Sequence, residues 1–366
     1  HRFEMPCISS ADLRGYKGDA FAEKVLPSAR AFGEGIYKIY GARTMARYQL
    51  TWLLGVASPY LAFLTDEEPH PDSAVMPGMG IALSLYSANS GLGKSALQKV
   101  INEAFLHAEE SKASGDKNSG ISSISLGVQL AKLGSLPFML DEVTNNEPEV
   151  VSELIHKISI DRDKVRAQQN GRPVEPTGSW TSVTTMSTNV SQRVMLTQHR
   201  AGSIAEQMRV VEIDFEGSVP GSITEFQALY NRHVVANRGA LGMLLGRYGV
   251  MHWDRMRRDA MSLMETVIAK FAMPNHERYF ARILAAALLA HKVMELHGIT
   301  AVDVKTVLKT FAAVLEESRS YISENTPDSD DYLEQFVRHI MPRILRTETE
   351  TDLRGAQTNY YAAMYD

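Results

Sequence analysis

The sequence predicts an α/β fold: a parallel sheet with helices packed around it and a helical segment on either side. Three observations carry this. A short apolar run at residues 80–86 leads straight into a glycine-rich loop that opens a helix; strand-like apolar runs then alternate with helical periodicity as far as residue 215; beyond that the pattern is almost purely helical to residue 346. The expected organisation is a helical collar at 1–64, an α/β core at 65–218, a helical lid at 219–346 and a tail at 347–366.

Each element has its own warrant. In the collar, apolar residues recur at three and four positions, in Phe21, Val25, Leu26 and Ala29 and again in Tyr48, Leu50, Leu53, Leu54, Leu61 and Phe63. An acidic, proline-rich linker follows at 66–72, and then the first strand, Gly-Ile-Ala-Leu-Ser-Leu-Tyr, at 80–86. A second buried strand at 136–140 ends in Asp141 and Glu142. A third at 182–187 ends in Thr188 and Asn189, with a helix at 149–158 between the two. Residues 210–215 read as a further strand, and Ala285 to Val293 is the most apolar part of the helical lid.

Composition narrows the class. With 44% hydrophobic and 22% charged residues the chain is an ordinary globular protein, and its net charge of −5 argues against a wholesale nucleic-acid coat while leaving room for a local basic loop. A single cysteine, Cys7, excludes an intrachain disulfide and a cysteine-rich zinc site, which fits a cytoplasmic protein. No apolar stretch is long enough to span a bilayer, so no membrane partner is expected. The chain begins His-Arg-Phe rather than Met, which points to a longer polypeptide with a further domain on either side.

Residues 88–95, Ala-Asn-Ser-Gly-Leu-Gly-Lys-Ser, have the spacing of a phosphate-binding loop, with Ala88 at the usual first glycine. Gly91 and Gly93 let the backbone approach phosphates. Asn89, Ser90 and Leu92 complete the wrap, and the amides of Lys94, Ser95 and Ala96 at the helix start point at the same place. Lys94 reaches the β and γ phosphates of ATP, and Ser95 is a magnesium ligand. Asp141, at the end of a strand, suits the second magnesium contact, held through water. Glu142 suits the base that activates the attacking water, which separates hydrolases from kinases. Asn189, polar at the tip of an apolar strand, is placed to bond the γ phosphate or the lytic water from the opposite side. A trans-acting arginine belongs just before a strand at a subunit edge; Arg209 has that position, with Arg200 and Arg193 as alternatives. Residues 161–172 read as a hairpin turning at Asn170-Gly171, whose Lys164, Arg166 and Arg172 are the candidate contacts to single-stranded DNA.

In this order the parts resemble the superfamily 3 helicases of viruses, phages and plasmids, within the AAA+ ATPases: P-loop, Asp-Glu, basic hairpin, Thr-Asn, then an arginine ahead of a final strand. Residues 207–215, Gln-Met-Arg-Val-Val-Glu-Ile-Asp-Phe, look like the arginine-finger segment of papovavirus large T antigens. Residues 158–166 with Gly171 and Trp180 look like an ATPase domain of phage and plasmid primase-helicases. The resemblance implies a P-loop AAA+ ATPase core with a parallel sheet, an N-terminal helical collar and a C-terminal all-helical lid. It also implies ATP and Mg2+ as cofactors, a homo-oligomeric, hexameric ring with Arg209 as the finger, a hairpin that translocates DNA, and a primase or polymerase domain or partner. A second reading keeps every ATP residue and drops the DNA role: an AAA+ ATPase that remodels or loads a protein partner without unwinding. A third makes the chain a nucleotide-bound ring that only scaffolds another domain.

Overall fold

Seven strands are present among the described residues: β1 (Ile81–Tyr86), β2 (Lys112–Ser114), β3 (Phe138–Asp141), β4 (Arg166–Ala167), β5 (Pro173–Val174), β6 (Val183–Thr188) and β7 (Val210–Asp214). The structure is a computed structural model and describes residues 21–65, 80–106, 108–114, 121–160, 166–167, 173–174, 178–199, 204–217 and 222–325. Five strands form one sheet in the order β2-β3-β6-β1-β7, with every neighbouring pair parallel. β4 and β5 pair antiparallel, Arg166 opposite Val174, so the expected hairpin is seen in its two short strands. Lys164 and Arg172 lie outside the described residues.

Parallel neighbours require crossovers, and helices supply them. The first α-helices among the described residues are α1 (Leu26–Tyr40) and α2 (Ala46–Val56). Next, α3 (Lys94–Glu103) follows β1, α4 (Ser123–Leu133) precedes β3 and α5 (Pro148–Ser159) leaves it; α6 (Gln192–His199) and the short α7 (Ile204–Gln207) join β6 to β7. β1 and β6 are buried almost throughout, as strands covered on both faces must be, which is why they read as continuous apolar or small-residue runs. Gln98 on α3 ties β3 to β6, its Nε2 donating to Leu140 O at 3.2 Å and Thr185 O at 2.9 Å.

Past β7 come α8 (Ile223–Leu229), α9 (Ala240–Met251), α10 (Trp253–Phe271), α11 (Arg278–Leu296) and α12 (Val304–Asn325). These C-terminal helices and the N-terminal pair share one apolar core with the sheet. Every residue of α2 from Tyr48 to Val56 is buried. Polar ties reinforce the packing: Ser58 Oγ accepts from Val183 N–H at 2.8 Å, Tyr60 OH donates to Leu245 O at 3.0 Å, and Arg47 Nη1 donates to Asp214 O at 2.7 Å. Arg47 also pairs with Glu317 on α12, so α2 is held between the sheet and the C-terminal helices.

Candidate nucleotide site

The loop after β1 is shaped by two left-handed glycines, Gly91 at φ +84° and Gly93 at φ +78°. A side chain at either position would be conformationally strained, yet a Cβ at either meets no atom within 4 Å. The loop keeps a curled backbone around open space. Three anchors hold it. Lys94 Nζ donates to Ser87 O at 3.1 Å, Asn89 O at 3.3 Å and Asn189 Oδ1 at 2.8 Å. The Tyr48 hydroxyl on α2 donates to Leu92 O. Glu216, just past β7, accepts from Asn89 N–H at 3.2 Å, Asn89 Nδ2 at 2.9 Å and Ser87 Oγ at 3.1 Å.

Electrostatics follow from this packing. Lys94 is only 8% exposed, and burial lowers its ammonium below the ordinary lysine value, with Glu216 and Asp214 partly offsetting the effect. For Glu216 desolvation pulls upward, but the bonds from Asn89, Ser87 and the Ala88 amide outweigh it and leave the carboxyl lowered. A lysine kept in reach of acceptors but short of a full counter-ion is suited to a phosphate.

The acid pair sits across the sheet end from the loop. Because β6 is inserted between β1 and β3, the C-terminal ends of these strands bring Lys94, Asn189, Asp141 and Glu142 to one edge. Asp141 Oδ1 accepts from Ser95 Oγ at 2.9 Å and Ser187 Oγ at 2.6 Å; Lys112 Nζ lies 3.7 Å from Oδ2. Glu142 is exposed and has φ +59°, uncommon for a residue other than glycine. Asn189 is exposed at the tip of β6, its N–H donating to Thr144 Oγ1 at 3.0 Å.

These groups open on a cleft of about 770 Å³, a volume within the range of small-molecule sites. Ser90 to Ala96, Asp141, Glu142 and Asn189 line one side. Asn89 does not; its amide and side chain are turned to Glu216. The facing wall comes from the end of α1, the start of α2 and α8, through Ile39, Tyr40, Met45, Tyr48, Phe226 and Leu229. Tyr40 and Tyr48 stack at 5.5 Å, and Phe215 meets the Tyr48 ring edge-on at 4.8 Å. Sequence reasoning missed this wall, since its residues lie far along the chain from the loop and carry no motif. An apolar and aromatic wall opposite a glycine-rich loop suits a nucleobase.

Magnesium fits the donor set. Among the described residues no cluster of three or more His, Cys, Asp or Glu could hold a metal by itself. One hydroxyl and one carboxylate, Ser95 and Asp141, already within 2.9 Å of each other, match an ion that takes most of its ligands from water and substrate phosphates.

The arginines are elsewhere. Arg209 stands immediately before β7, whose first residue Val210 pairs with Ala82 near the start of β1, while the loop leaves from the other end of β1. It therefore lies at the opposite end of the sheet from its own Lys94, with Nη1 2.8 Å from His156 Nδ1. Arg193 is 6% exposed and its Nη2 donates to Glu212 O at 3.4 Å, so it is not presented to a neighbouring subunit; Arg200 lies outside the described residues. Trp180 is a core residue that donates to Ile158 O at 3.3 Å, and the Lys157 ammonium lies 5.6 Å from the centre of its ring.

No protein-family model matches the chain, and no curated protein matches it. Among solved structures it is similar to one described as "SCCmec type IV Cch - active helicase", at 14% identity with a TM-score of 0.55. The alignment covers 91% of this chain and 57% of that one, so the chain spans a little over half of its length. No helix among the described residues is long and apolar enough to cross a membrane. At this identity the likeness is one of fold: a mostly helical α/β chain with a five-stranded parallel sheet, consistent with a helicase-like core.

Proposed function

We propose that this chain is an ATP-hydrolysing motor module of the replicative helicase type, which forms a ring and moves on single-stranded DNA. The observation that carries the proposal is the convergence of Lys94, Ser95, Asp141, Glu142 and Asn189 on one cleft at the C-terminal edge of a parallel sheet. Lys94 holds the β and γ phosphates, Ser95 and Asp141 hold the magnesium ion, and Glu142 takes the proton of the attacking water. Asn189, already bonded to Lys94, turns its amide to the γ phosphate or the water. Magnesium, when bound, neutralises charge developing on the phosphates. Tyr40, Tyr48 and Phe226 pack on the base.

Arg209 supports the ring: at the far end of the sheet from its own loop, it serves only a site on a neighbouring copy. The helicase description of the structural neighbour supports a nucleic acid as the track, which we read as single-stranded DNA with the hairpin around Arg166 as the moving contact. The collar, the lid and a primase or polymerase partner belong to the same reading.

The test is ATP hydrolysis and nucleotide binding by wild type, Lys94→Ala and Glu142→Gln. Lys94→Ala loses nucleotide affinity, while Glu142→Gln binds without turnover. Wild-type turnover by Glu142→Gln would remove the acid pair from the mechanism. Turnover indifferent to DNA would favour an ATPase acting on a protein partner.

A further inference from the structure

A serine near the end of an apolar strand reads as part of the sheet. In the structure Ser187 does more. Its side chain is 5% exposed, and its hydroxyl both donates to Asp141 Oδ1 at 2.6 Å and accepts from the backbone N–H of Glu142 at 3.1 Å. We propose that Ser187 is a positioning residue for hydrolysis, orienting the Asp141 carboxylate and fixing the backbone turn that presents Glu142 to the cleft. The inference rests on the ATP-hydrolysis reading of the cleft.

Register puts Ser187 where this is possible. β3 and β6 pair through Leu140 and Met186, so the next residues, Asp141 and Ser187, stand side by side at the sheet edge. Other groups near Asp141 cannot replace it. Ser95 also donates to Oδ1, but its hydroxyl is the one turned over to magnesium when nucleotide enters. Lys112 stands 3.7 Å from Oδ2, beyond hydrogen-bond distance. With nucleotide bound, Ser187 is the neutral donor left to hold Asp141.

Glu142 makes the same demand from the backbone. Its φ of +59° and ψ of +54° are left-handed, a conformation that a side-chain-bearing residue keeps when its surroundings hold it there. The bond from its amide to Ser187 Oγ is such a hold. One hydroxyl thus ties the magnesium ligand and the base together. Loss of the hydroxyl leaves Asp141 Oδ1 with Ser95 as its donor and removes the bond that the Glu142 amide makes to Ser187.

The experiment compares S187A and S187T with wild type for kcat, KM for ATP, the half-saturating Mg2+ concentration, and mant-ADP binding. S187A is expected to lose about 10- to 100-fold in kcat, the usual cost of removing a residue that orients a metal ligand, with a several-fold rise in half-saturating Mg2+. KM and mant-ADP affinity stay near wild type, and S187T, which keeps the hydroxyl, restores most of the rate. Wild-type kcat and Mg2+ dependence in S187A, or equal impairment of S187A and S187T, overturns the proposal. Thermal unfolding checks the fold of each variant; should S187A not fold, S187C, similar in size and a weaker hydrogen-bonding group, takes its place with the same expected order. Lys94→Ala separates the two layers. Wild-type mant-ADP binding by Lys94→Ala would remove the nucleotide reading itself, whereas loss of binding there beside an S187A indistinguishable from wild type would remove only the role of Ser187.

Discussion

Replacing Gly93 by alanine adds one methyl group to the loop without touching any other protein atom, since a Cβ there has nothing within 4 Å. The cost to folding is then conformational alone. A left-handed residue with a side chain costs about 1–2 kcal/mol, which lowers the melting midpoint by no more than about 5 °C in a chain of this size. Nucleotide binding should suffer far more. Gly93 lines the cleft, and in the proposed function the open space beside it takes phosphate oxygens. A methyl group there pushes them off the loop amides. Each charge-assisted bond contributes about 1.5–3 kcal/mol, so losing two weakens binding by about 3–6 kcal/mol, or roughly 10²- to 10⁴-fold. Mant-ADP titration measures the second quantity and thermal unfolding the first. A Gly93→Ala protein that binds mant-ADP within about threefold of wild type would refute the phosphate assignment, because the affinity loss is predicted to exceed the stability loss.

Three further outcomes are expected. Arg209→Ala should bind ATP normally and lose about 10³-fold in turnover; mixing it with Lys94→Ala subunits should recover activity at interfaces that combine one intact loop with one intact arginine, and an absence of recovery argues against a shared site. Lys164, Arg166 and Arg172 changed together to alanine should keep basal ATPase activity and flatten the salt dependence of single-stranded DNA binding by a log–log slope of about 2; unchanged DNA binding would favour a protein-directed ATPase. Burial pushes the Tyr48 hydroxyl from 10.0 to about 12, so its contribution to stability is whole below pH 10 and is lost as pH rises through 12. The difference in tyrosinate absorbance between wild type and Tyr48→Phe should be centred near pH 12, and a difference centred near pH 10 would show that the Tyr48 hydroxyl is not buried.

Strand β1 was legible because a strand buried on both faces leaves an apolar run, as in Ile81–Tyr86, and β7 through Val210, Val211 and Ile213 around a buried Glu212. β2 was not. It is three half-buried residues at the sheet edge, too short to show a pattern. Helix α4 was also missed, since Ile124 and Val128 are exposed and blur the period. At the candidate site, Lys94, Ser95, Asp141 and Glu142 stood out in the sequence by residue type and order, and they line one cleft. Tyr48 and Phe226 could not be found there, because they reach the cleft only through tertiary packing, and neither could Glu216, which holds the loop through Ser87 and Asn89 from past β7. Nor could the burial of Arg193, which a sequence presents as one more arginine near a strand.

Coupling of the cleft to work on DNA is read out by strand displacement on a forked duplex. With ATP and Mg2+, wild type is predicted to hydrolyse ATP faster when single-stranded DNA is present and to open the duplex, while Glu142→Gln binds ATP and opens none. Robust hydrolysis that DNA does not stimulate, with no duplex opened, would contradict it.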